Sequence, residues 1–224
     1  MLVIPFEAIE ERARERVGSA QALTNRLPRP KSPEELRAVP DDRYLSQMSL
    51  RIFRAGLKHS VVDAKWPAFE EVFLGFEPKR VVAMSDDELE ALLQDQRLIR
   101  HWGKLKSVRA NAAAIMELGA QQNGMGAWLA DWPRDDVVGL WDQLAKRFAQ
   151  LGGNSGPYFL RMVGKDTFML TPAVISALNH WDAFEGTPKS KADRAKVQQV
   201  FNAWVRHSSR PLCQVSMILA LSVD

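Results

Sequence analysis

Residues 151–158 read Leu-Gly-Gly-Asn-Ser-Gly-Pro-Tyr and place three glycines, Gly152, Gly153 and Gly156, within five positions. Just before them, Val137, Leu140, Trp141, Leu144 and Phe148 recur at helical spacing over 136–150. Just after them, Pro157 has the fixed φ that suits the first turn of a helix. The spacing therefore predicts a helix, a tight turn and a second helix. Glycine tolerates positive φ and lets another group approach the backbone closely. The free amides of such a turn, together with a helix N-terminus, form an anion site suited to a DNA phosphate. The same pattern also suits an ordinary corner closed by a glycine cap.

Working outward, the rest of the chain also reads as helix, with no run that alternates apolar and polar as a half-buried strand would. Residues 6–17 carry a charged helical face, and 26–33 hold three prolines in eight positions, which predicts a connector before a short helix at 33–38. Tyr44, Leu45, Met48, Ile52, Phe53 and Leu57 predict a buried helix ending near Gly56. Residues 66–73 predict another, with Pro67 in its first turn. Ser85 and Glu88 form a capping box ahead of an apolar run expected to stay helical to about Asp95. A helix over 103–118 is expected to bury Leu105, Val108, Ala112, Ile115 and Met116 and to stop at Gly119. Thr171 before Pro172 reads as an N-cap, and helices over 190–206 and 211–222 complete an all-α chain.

Composition narrows the function classes. Apolar residues make up 46% and charged residues 25% of the chain, an ordinary globular composition that argues against disorder. The lone Cys213 excludes an internal disulfide, a cysteine-based zinc site and an iron–sulfur cluster. The longest unbroken apolar runs are five residues, well short of the roughly 18 that span a bilayer. The start, MLVIPFEAIEER, meets acidic residues early, which predicts no secretory leader and a cytoplasmic protein. Thirty basic against 27 acidic residues leave a net charge of +3, too small by itself to imply nucleic acid. Its distribution says more. Residues 97–109 (RLIRHWGKLKSVR) hold Arg97, Arg100, His101, Lys104, Lys106 and Arg109, and no acid lies between Asp95 and Glu117. Such a strip suits phosphate contact, although a solvated helix face can show the same run.

These residues carry a resemblance. Residues 44–118 are similar to the type I 3-methyladenine DNA glycosylases, through Leu92, Asp95, Leu98, Ile99, Arg100, His101, Lys104, Leu105, Ser107, Val108, Asn111 and Ala112, and through Ala55-Gly56-Leu57 upstream. Residues 151–178 resemble the hairpin and following helix of the wider helix-hairpin-helix DNA glycosylase superfamily. The resemblance implies a helical bundle of two lobes, with residues 1–43 as an N-terminal extension packed on a glycosylase-like domain at 44–224. It implies a monomer, associated with the nucleoid, that binds duplex DNA carrying a damaged base. It further implies hydrolysis of the N-glycosidic bond of an alkylated purine such as 3-methyladenine, after eversion into a pocket between the lobes. Arg100, Lys104, Lys106, Gly152, Gly153, Ser155 and Gly156 are the implied DNA contacts.

The departures from that pattern matter as much. The superfamily's catalytic aspartate falls at Thr171, which cannot act as a carboxylate, and the lysine of its lyase members falls at Tyr158, which cannot form a Schiff base. Arg51 stands where type I enzymes carry a pocket glutamate, and His59 where they carry a stacking aromatic. Their zinc clasp is absent, so no metal is expected, and no cofactor beyond a monovalent cation that the 152–157 hairpin would permit. Asp182 is the best substitute acid, ahead of Asp166, Glu70 and Glu71. Arg51, His59, Trp66, Trp102, Tyr158 and Trp181 are candidates for the base pocket, whereas Trp141 and Trp204 lie on apolar faces and belong to the core. Two readings stay open: a monofunctional glycosylase, or a helix-hairpin-helix protein that binds DNA without hydrolysis.

Overall fold

The computed structural model describes residues 5–223. Among these there are fourteen α-helices and no strand. They run α1 (Phe6–Val17), α2 (Ala20–Thr24), α3 (Pro33–Arg37), α4 (Asp41–Arg54), α5 (His59–Val72), α6 (Pro78–Val82), α7 (Asp86–Ala91), α8 (Trp102–Gln122), α9 (Met125–Asp131), α10 (Val137–Arg147), α11 (Ser155–Val163), α12 (Pro172–His180), α13 (Lys191–Ser208) and α14 (Leu212–Leu221). Short 3-10 turns follow α5 and α7.

The chain forms two compact units. Among the described residues, one takes 5–30, 133–140 and 166–223, and the other 31–132 and 141–165. The division does not fall at 43/44, because α3 packs with α9 inside the second unit.

In the first unit α14 packs against α1, α12 and α13. Its core holds Phe6, Ile9, Phe168, Phe201, Trp204 and Ile218, with Phe168 stacked on Phe201 at 4.3 Å. Asp166 accepts hydrogen bonds from the Leu212 and Cys213 amides and so caps the N-terminus of α14. Arg210 donates to both carboxylate oxygens of Glu10, which ties α14's entry to α1.

In the second unit α4 and α8 are the central pair, joined by α5, α6, α9 and α11. Phe53, Phe69, Phe73 and Phe76 are fully buried, and Trp66 stacks between Phe69 (5.0 Å) and Phe76 (5.5 Å). Both predicted caps form: Ser85 and Glu88 satisfy each other's amides at α7, and the Thr171 hydroxyl accepts from the Val174 amide at 3.2 Å.

Several local expectations are corrected. The helix around Trp66 begins at His59, so Pro67 lies inside it; Pro67 and Asp63 are both exposed, and water reaches the carbonyl that loses its N–H partner. Gly119 does not stop α8. Asn123 does, with φ 58°, because Asp41 accepts from the Met125 amide at 2.9 Å and holds the following turn in place. Leu57 lies beyond α4 and is 43% exposed, and Met116 is 38% exposed, so neither is core.

The caps predict an acid response. Glu88 is held below its ordinary pKa by the Ser85 amide and hydroxyl, and Asp193 by the hydroxyl and amide of Ser190. A carboxylate with a depressed folded-state pKa contributes stability above its unfolded pKa and loses it as pH falls through the folded value. Asp41, raised mainly by burial, contributes with the opposite sign. Between about pH 6 and pH 3 the melting temperature is expected to fall less in a Glu88→Gln, Asp193→Asn double variant than in the parent chain. Equal slopes in the two melting series would show that the boxes contribute nothing to acid sensitivity.

Candidate nucleic-acid interface

The predicted hairpin is present. Helix α10 ends at Arg147, residues 151–154 turn, and α11 starts at Ser155. Gly153 has φ +57°, a conformation that strains side chains with a Cβ. Gly156 is needed for a different reason: a Cβ there would lie 3.1 Å from the Leu151 carbonyl oxygen and 3.5 Å from Leu144. Above Gly152 and Gly153 a Cβ would meet nothing within 4 Å, so the backbone is open to an approaching group. Asn111, fully buried on α8, fixes the hairpin's near end. Its side chain donates to the Ala149 carbonyl at 3.2 Å and accepts from the Ala149 amide at 2.7 Å.

The basic strip lies beside this turn. A Cβ on Gly103 would come within 3.7 Å of the Gln150 side chain, and one shallow groove is lined by Lys106, Ser107, Arg109, Ala110 and Ala149. Arg100 and Lys106 are exposed, with the Lys106 ammonium 4.9 Å from the Trp102 ring centroid. His101 caps α8 by accepting from the Lys104 amide.

Three strip residues have other roles. Lys104 was expected on DNA; instead it is 9% exposed and donates to the Phe53 (3.2 Å) and Ala55 (2.7 Å) carbonyls at the end of α4. Burial, with Arg51 nearby, pushes its pKa below the ordinary ammonium value. Arg97 forms ion pairs with Asp95 and Glu71, and Arg109 with Asp86 and the Met84 carbonyl.

The base-pocket candidates are only partly brought together. Arg51 lies on the Tyr158 ring, 4.5 Å from its centroid. His59 is an exposed first residue of α5. Trp66 belongs to the aromatic stack and donates its indole N–H to Ser46, so packing explains it. Trp102 is half-buried under Lys106. Thr171, Asp182 and Trp181 belong to the other unit: Thr171 is a cap, Asp182 is exposed at φ +49°, and Trp181 donates to Ser222. The remaining proposed acids are also engaged. Glu70 accepts a bidentate pair from Arg43 (3.1 and 3.0 Å), Glu71 pairs with Arg97, and Asp166 is a helix cap.

Two features escaped the sequence reading. Asn111 was read only as a matched position, although a buried amide on an apolar helix face signals a backbone clamp. Leu57 was assigned to the core by period alone, although the glycine before it, at φ +78°, marks the end of the helix.

A family model described as methyladenine glycosylase matches residues 37–149, just over half of the chain. DNA-3-methyladenine glycosylase 1 of Escherichia coli (strain K12) is 37% identical over 71 residues, which cover 32% of this chain and 37% of that protein. The match thus spans little more than a third of that relative's length. The structure of 3-methyladenine DNA glycosylase I from Staphylococcus aureus superposes with a TM-score of 0.50 at 22% identity, covering 55% of this chain and 76% of that one. The 8-oxoguanine glycosylase/lyase of Methanocaldococcus jannaschii, in complex with a 15mer DNA containing 8-oxoguanine, superposes with a TM-score of 0.53 at 13% identity over 95% of each chain. At these identities the two structures speak for the helical fold. With that fold, and with the family pattern running through α4 to α8, the chain belongs to the methyladenine glycosylase family.

Proposed function

We propose that this protein is a monofunctional DNA N-glycosylase acting on alkylated purines in duplex DNA. The observation that carries the reading is the open hairpin at 152–155, clamped at Ala149 by Asn111, with Lys106 in the groove beside Ala149. Its backbone amides can meet one phosphate while the strip follows the next ones. Leu57 stands exposed in the turn after α4, beside Lys58 and His59. An apolar tip followed by a lysine suits a wedge that enters the base stack and holds the space of an everted nucleotide.

In such a reaction water ends on C1′ of the deoxyribose and the purine leaves. A ring-alkylated purine is already a good leaving group, so eversion and exclusion of bulk water supply much of the catalysis. Tyr158 offers no amine, so the reaction stops at hydrolysis.

The test is release of free base from DNA containing 3-methyladenine or 7-methylguanine, with protein in excess. Release is expected, and Leu57→Ala is expected to slow it by about tenfold in single turnovers without loss of stability. One observation favours a second reading, DNA binding without hydrolysis: Arg51 replaces a carboxylate, and Glu70 and Glu71 are held by arginines. Tight binding with no base released by stoichiometric protein would decide for that reading.

A further inference from the structure

Arg51 is unusual among the arginines near this interface. Its Nε is buried and has no hydrogen-bond partner. No acceptor among the described residues takes its two terminal nitrogens either, whereas the neighbouring Arg54 is matched by Asp63 at 2.7 Å. Lys104 adds a second positive charge nearby, and burial lowers the pKa of both groups. A partly dry guanidinium without an anion is unfavourable, and buried donors without partners are rare in native proteins. The Tyr158 ring, 36% exposed, compensates only through its face.

The stack also has a geometric effect. It holds the guanidinium over one ring face and leaves the two terminal nitrogens without a protein acceptor among the described residues. Such a fork matches a group with two adjacent acceptors: the non-bridging oxygens of a phosphodiester, or the O6/N7 edge of a 6-oxopurine. An adenine edge sets an amino donor against these donors.

We propose that Arg51, held over the Tyr158 ring, is a fork that grips a two-acceptor group of the bound DNA. The inference rests on the DNA-binding reading above. The experiment measures duplex affinity across a salt series for the parent chain and for Arg51→Lys, Arg51→Gln and Arg51→Met. The duplexes carry either hypoxanthine, a 6-oxopurine, or 3-methyladenine. All three variants are expected to bind about tenfold more weakly, including Arg51→Lys, which keeps the charge but not the fork. An equal loss on both duplexes, with the salt slope reduced by about one, identifies the acceptor as a phosphate. A loss confined to hypoxanthine DNA at unchanged slope identifies the base edge.

Melting temperature supplies the control, because a donor held for a ligand should not be needed for folding. Arg51→Met is expected to melt at or above the parent temperature. Parent-like binding by the Arg51→Lys and Arg51→Met variants would overturn the inference alone. So would a lower melting temperature for Arg51→Met with unchanged affinity, which would make Arg51 a packing residue. A parent chain that binds no duplex would overturn the DNA reading itself, and this inference with it.

Discussion

Duplex DNA affinity is expected to fall on the order of 100-fold at low salt when Gly153 and Gly156 are both replaced by valine. The two substitutions act on one turn by different physics. At Gly153 a β-branched residue must occupy φ +57°, which costs about 1–3 kcal/mol or makes the turn change conformation. At Gly156 the first added carbon already lies 3.1 Å from the Leu151 carbonyl oxygen, and valine's methyls need space that Leu144 fills. Overpacking of this kind costs about 1–3 kcal/mol. The turn then moves its amides away from the phosphate position. The lost affinity corresponds to about two charge-assisted hydrogen bonds, or roughly 3 kcal/mol. Fluorescence anisotropy gives the affinity, and far-UV circular dichroism checks that the helices remain. Gly119→Ala, on α8 outside the hairpin, is the control, since a Cβ there meets only the Asp41 carboxylate at 4.0 Å and its φ is not positive. Full DNA affinity in a folded double variant would remove the hairpin from the interface.

Lys104→Met is expected to destabilise the fold by about 2 kcal/mol while leaving the salt dependence of DNA binding unchanged. Methionine keeps most of the side chain's length but cannot donate, so the Phe53 and Ala55 carbonyls lose the ammonium that closes α4. Unsatisfied acceptors of this kind cost about 1–3 kcal/mol each, and removing a partly desolvated charge returns some of that. Lys106→Ala is expected to do the reverse, with little effect on stability and a salt slope reduced by about one. Urea denaturation and anisotropy at several salt concentrations separate the two outcomes. A stable Lys104→Met protein with weakened DNA binding would return Lys104 to the interface.

The contrast between these two lysines shows where the sequence stops being legible. They are two positions apart in one basic run, and composition cannot separate them. On a helix, residues two apart point to nearly opposite sides, so one enters the core and the other faces water. Only the packing of α4 on α8 decides which. The same limit explains Leu57, whose helical spacing counts for nothing once the backbone leaves the helix at Ala55 and Gly56. It also explains Trp66 and Trp181, whose indole N–H partners, Ser46 and Ser222, are distant in sequence.

What could be read directly was local. The Ser85–Glu88 box, the Thr171 cap, the proline connector and the glycine hairpin each depend on atoms within about four residues, so the chain alone specified them. The all-α class followed from the helical period. The charge strip was visible as composition, but its functional part was not. Tertiary contacts left Arg100 and Lys106 exposed, placed Lys104 on carbonyls, and paired Arg97 and Arg109 with acids up to 26 residues away. They also laid Arg51 on Tyr158, a residue from the far side of the hairpin. A side chain's rotamer neighbours come from its own helix, but its desolvation and its charge partners come from whichever helix packs against it.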